Sequence, residues 1–123
     1  MSTWMLMAGG ALGVGVAMVH AVIGQRRILQ PVAGLSPVAR RVLVAVFHLS
    51  TLYWGIAGLA LVWGALVWPL EVLRTVGVVV IWLYLTGAIA NFWATRGKHF
   101  GWVLLVLCGV LIGVGLIGAN HVA

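Results

Sequence analysis

The chain has 123 residues; 64% are hydrophobic and only 7% are charged, with a mean hydropathy of +1.22. A soluble domain carries about 25% charged residues, so this chain cannot coat a water-facing surface. A soluble enzyme, a disordered tail and a nucleic-acid-binding domain are excluded. The class is integral membrane protein, and the net charge of +6, seven Lys/Arg against the single acid Glu71, takes its meaning from position.

A bilayer core needs about 20 apolar residues per helix. The first such stretch runs from Trp4 to Gly24, with no charge before Arg26. It lacks a positive leader and a small-residue cleavage site ahead of a polar domain, so it reads as a retained helix. The segment Gln25 to Leu35 places Ile28, Leu29 and Val32 close to arginines, which predicts a segment lying flat on the interface with its apolar side chains dipped inward. Ser36-Pro37 reads as a helix N-cap followed by proline at the first helical position. Helix two then enters the membrane near Val42 and stops at Pro69, after Trp68. Helix three spans Val76 to Thr95. Gly97, in Arg96-Gly97-Lys98, turns the chain into helix four, whose apolar stretch is Phe100 to Gly118. The expected helices are 4–24, 37–68, 74–95 and 99–119, in one domain. Short connections imply an all-α, antiparallel up-down bundle of four transmembrane helices.

Orientation follows the positive charges. Loop one carries Arg26, Arg27, Arg40 and Arg41, and loop three carries Arg96 and Lys98; loop two carries only Arg74, beside Glu71. Six against one places loops one and three in the cytoplasm and both termini outside. The basic excess is therefore a topology marker with some attraction to anionic headgroups; no aromatic-interleaved basic groove for nucleic acid exists. Trp4, Trp63 and Trp68 fall near the outer interface and Trp93 and Trp102 near the inner one, as an aromatic belt requires. Trp54 and Trp82 lie deeper and read as packing residues.

Inside lipid, helices associate by close backbone approach at small residues. Helix one offers Gly9-x-x-x-Gly13. Helix two offers Ala60-x-x-x-Gly64 after Gly55 and Gly58, and helix four Gly109-x-x-x-Gly113 before Gly115 and Gly118. Tyr84, Gly87, Ala88 and Asn91 share one stripe of helix three. These faces serve packing within the chain, or a homodimer or partner membrane proteins. No repeat relates the two halves, and Cys108 reads as a buried structural thiol.

Depth gathers the polar residues. His20 lies four residues before Gly24 and His48 six after Val42, which puts both roughly 6–9 Å inside the cytoplasmic boundary. Asn91 lies near the same end of helix three, and His99 starts helix four. Ser50 and Thr51 add hydroxyls, with Arg26 and Arg27 just outside. Ionisable residues inside membrane helices are costly and point to function. His20 and His48 are placed as axial ligands of a haem b. His20, His48 and His99 are placed to hold Zn²⁺ or Cu²⁺, although no HExxH-type spacing supports a metal. A quinone headgroup, hydrogen-bonded by His and Asn and flanked by Trp93, is a further option. The plain packing alternative has neutral histidines bonded to Asn91, Thr51 or backbone carbonyls, with His99 at the headgroups. No Asp occurs and Glu71 lies in a loop, so the carboxylate a coupled transporter needs is missing from every span. His121 reads as a solvated tail residue.

The run from His20 to Pro31, then Phe47-His48-Leu-Ser-Thr-Leu-Tyr-Trp54, then Arg96-Gly-Lys-His99-Phe-Gly-Trp102 resembles an uncharacterised family of small four-helix bacterial inner-membrane proteins. The resemblance covers residues 15–115. Its pattern is H-x3-G-[EQ]-R, then WH-x-[TS], then SRG-[RK]-H-x2-W. This chain departs from it at Gln25 (usually an acid), Phe47 (usually Trp) and Thr95 (usually Ser). The resemblance implies a bacterial inner-membrane location and a signature of His20, His48, Arg96, His99 and Trp102, but no activity. The expected function is a non-catalytic structural or accessory subunit packing against partner membrane proteins. The alternative is a haem, metal or quinone-binding redox protein built on His20, His48, Asn91 and His99, supported by Thr51, Arg27, Arg96 and Trp102. A small transporter ranks third.

Overall fold

A computed structural model describes residues 2–29 and 34–118, apart from the side chains of Ser2 and Ile28. These residues form four helices, α1 (Ser2–Gly24), α2 (Pro37–Val67), α3 (Leu70–Thr95) and α4 (Gly101–Gly118). Each is long and apolar enough to cross a bilayer. The architecture is that of a multi-pass, all-α membrane protein. Val32 and His121 lie outside the described residues.

The ends of the helices follow local chemistry. The α1 helix continues directly into a π-helical turn, Gln25–Leu29, where a separate flat segment was expected. Leu29 is only 2% exposed, so it packs into the protein and does not dip into the interface. Continuing the helical hydrogen bonding is how the backbone stays satisfied as it leaves the apolar core. Ser36 caps α2 by accepting from the Ala39 amide at 3.2 Å, with Pro37 opening the helix. The 31 residues of α2 extend about 46 Å, longer than a bilayer core of about 30 Å, so one end of α2 extends past it. The α3 helix begins at Leu70, earlier than the charge pattern implied, because Pro69 itself takes the N-cap position (φ −56°, ψ 148°). Glu71 in the first turn complements the helix dipole and pairs with Arg74 at 3.3 Å. At the other end of α3, Arg96 adopts a left-handed conformation (φ 51°) and the Gly97 amide bonds back to the Phe92 carbonyl at 2.8 Å. Gly97 itself sits at φ 74°, where a side chain would be strained.

Close approaches fix the packing. Gly10 of α1 faces Gly58 of α2; a methyl group on Gly58 would lie 2.5 Å from the Gly10 carbonyl oxygen. Nearer the other end of the same pair, Gly24 meets the ring of Phe47. Gly9 meets Ile112 and Gly115 meets Leu6 along α1 and α4, while Gly77 meets Leu116 and Gly113 lies near Ile81 along α3 and α4. Each pairing runs in opposite directions, so neighbouring helices are antiparallel. Around the bundle the order is α2, α1, α4, α3. Tyr84 of α3 fills the centre. It is fully buried, abuts Gly13 and donates to the Trp54 carbonyl at 3.1 Å.

The seam that would close the ring is loose. Although Pro69 joins them, α2 and α3 make far fewer contacts than the other neighbours. They touch where Gly87 accommodates the Trp54 ring, and a groove of about 630 Å³ opens between them. Elsewhere the surface is apolar: Trp4, Trp63, Val79 and Ile89 face outward, as lipid contact requires. Trp82 does too, at 66% exposure, against its expected packing role. Trp68 folds back onto Gly64, and Trp102 turns inward against Phe92 with ring centroids 5.3 Å apart.

Candidate functional site

The α2–α3 groove is walled by Phe47, Ser50 and Trp54 from α2 and by Gly87, Asn91 and Thr95 from α3, with His20 of α1 as its floor. Positions 47, 50 and 54 share one helical face, as do 87, 91 and 95. Behind this floor lies a smaller cavity of about 70 Å³, lined by His20, Asn91, Thr95 and His99 among apolar neighbours. His20, Asn91 and Thr95 border both spaces. They form a polar septum between an opening onto the lipid and an interior pocket.

Aromatic rings hold the septum. The His20 imidazole stacks on Phe47 (centroids 4.2 Å apart, planes at 13°) and leans on Trp54 at 4.8 Å. Trp54 is 7% exposed, so this wall is packed into the core. The His99 Nδ1 accepts from the Gly101 amide at 3.1 Å, which caps the start of α4 and leaves the proton on Nε2 as a donor. The hydroxyl protons are spent locally. Thr95 donates to the Asn91 carbonyl at 2.7 Å and Ser50 to the Phe47 carbonyl at 2.7 Å, leaving oxygen lone pairs free to accept. Among the described residues, one buried side-chain oxygen, Asn91 Oδ1, has no hydrogen-bond partner. Leaving a buried acceptor unpaired costs about 1–3 kcal/mol, and such a group calls for an explanation.

The expected polar layer is thus partly assembled. His20, Asn91 and His99 converge on one cavity. His48 does not join them. It is exposed, its Nε2 lies 3.1 Å from Gln25 Oε1, and it lines a separate cleft between α1 and α2. His20 and His48 are therefore not disposed as the two sides of one haem. Among the described residues no group of three His, Cys, Asp or Glu is placed to hold a metal ion. Thr51 is spent on the Phe47 carbonyl at 3.1 Å. Arg27 is exposed beyond α1, Arg96 ends α3, and Trp102 Nε1 reaches the Gly97 carbonyl at 3.4 Å; none of the three lines the cavity. Trp93 is 81% exposed, so the ring beside the site is Trp54. Sequence reasoning missed Phe47, Trp54 and Thr95 as site residues. Thr95 lies one turn from Asn91 and Trp54 two turns from Phe47, so the helical period carried the signal.

Comparisons with protein-family models, with curated proteins and with solved structures found no match.

Proposed function

We propose that the protein is a non-catalytic accessory protein of the bacterial inner membrane, with both termini outside, that binds a lipid-soluble ligand in the α2–α3 groove. The ligand carries a hydroxyl on a flat ring, as a quinol does. The observation that carries this reading is the buried, unpaired Asn91 Oδ1: an amide oxygen accepts, so it suits a ligand that brings a hydrogen-bond donor. The rest is consistent with it. A groove of about 630 Å³ falls within the usual range of ligand sites, roughly 300–1,000 Å³. Phe47 and Trp54 supply flat apolar walls, and the His20 ring borders both spaces to bond a second oxygen. A non-catalytic role is favoured because the chain's one carboxylate side chain, Glu71, lies at the other end of α3 from Asn91. The cytoplasmic assignment of this end rests on the six-to-one distribution of Lys and Arg, and the bacterial location on the family resemblance.

Solvent extraction of protein purified in mild detergent tests the reading. A hydroxylated ring lipid, near one per chain in wild type and depleted in Asn91→Leu, is the expected result. Equal recovery of such lipids from both proteins, or none from either, contradicts it.

A further inference from the structure

We propose that the cleft between α1 and α2, on the far side of Phe47 from the groove, is a binding site for the phosphate of an anionic phospholipid. Ala21, Val22, Gln25, Arg26 and His48 line it, and its volume is about 330 Å³. Three observations combine. First, Arg26 has no carboxylate side chain in this protein to pair with: the one acidic residue, Glu71, opens α3 at the opposite end and pairs with Arg74. Arg27, Arg40, Arg41, Arg96 and Lys98 share the Arg26 end, so the counter-charge comes from outside the chain. Second, the His48 Nε2–Gln25 Oε1 contact at 3.1 Å occupies the Gln25 acceptor. The Gln25 amide –NH₂ is left as a donor beside the Arg26 guanidinium, a pairing suited to phosphate oxygens. Third, the part of the cleft farther along α1, Ala21 and Val22, is apolar. Val22 is exposed, so an acyl chain can run along α1 while its headgroup stays at the end of the helix. A free anion would have no use for that wall, which is why the ligand is a lipid. The site is separate from the α2–α3 groove and shares no lining residue with it.

The test is native mass spectrometry of the detergent-solubilised protein titrated with phosphatidylglycerol, phosphatidylcholine or inorganic phosphate. Wild type should retain phosphatidylglycerol over phosphatidylcholine. Arg26→Gln should weaken phosphatidylglycerol binding about fivefold, the effect of one interfacial charge. Lys98→Gln, which removes the same charge at the same end but outside the cleft, should leave it within about twofold. His48→Ala, at an exposed position, should weaken it in the same direction as Arg26→Gln and decides the matter if that variant does not fold. Equal losses in Arg26→Gln and Lys98→Gln would reduce the effect to a diffuse field and overturn the proposal. So would wild-type binding in both Arg26→Gln and His48→Ala, or displacement of the lipid by inorganic phosphate at equal concentration.

Discussion

The two halves of this bundle are held by opposite means. Toward the end where α1 begins, Gly9, Gly10, Gly58 and Gly115 let a neighbouring backbone or side chain approach closely. Toward the other end, large rings (Phe47, Trp54) stand between the helices, α2 and α3 part, and every cavity described above collects there. Without a hydrophobic force between helices in lipid, glycine facing glycine lets two helices meet closely, whereas a ring seated on glycine, as Phe47 on Gly24 and Trp54 on Gly87, sets a wider spacing. The polar side chains His20, Asn91 and His99 lie only in the open half.

Breaking the closed half should have the largest effect. Gly58→Val puts a branched side chain where even a methyl lies 2.5 Å from the Gly10 oxygen, and should cost about 3 kcal/mol, the upper part of the overpacking range. Gly15→Val, whose Cβ meets nothing within 4 Å, should stay within about 0.5 kcal/mol; denaturant titration followed by helicity compares them. Similar losses in the pair would dissolve the contrast. In the open half the sign should reverse. Asn91→Leu removes an unpaired buried acceptor and should stabilise delipidated protein by about 1 kcal/mol, read as a raised Tm. At the centre, where the halves meet, Tyr84→Phe removes one interhelical hydrogen bond and should cost only about 0.6 kcal/mol, the average for such bonds in membranes, measured by the same titration.

What the sequence made legible was depth. Hydropathy, Pro69 and Gly97 mark where helices start and stop because those are local properties, and His20, Asn91 and His99 share a level for the same reason. What it hid was azimuth. Helix α2 is apolar all round, so nothing in its pattern says that Phe47 points inward and His48, about 100° further round, points out. Trp93 lies about 200° from Asn91, and Trp82 the same angle from Tyr84, which turns both to the outside although their depths suit the site. The splay of α2 from α3 was hidden too. Pro69 fixes adjacency at the turn, but the spacing farther along depends on Trp54 docking at Gly87, a long-range contact. The orphaned Asn91 oxygen is likewise a property of the assembled bundle.

The central claim is that the open half is a site for a ring-bearing donor. It is tested most directly by measuring, in lipid nanodiscs under anaerobic conditions, the Kd of wild type and Asn91→Leu for a decyl-substituted benzoquinol and for the corresponding benzoquinone. The two probes have the same ring and tail, but only the quinol can donate to Asn91 Oδ1. Wild type should prefer the quinol by about tenfold, the worth of one buried hydrogen bond to an otherwise unpaired acceptor, and Asn91→Leu should bind both alike. Equal affinities in wild type, or a preference that survives the loss of Asn91, would contradict the account.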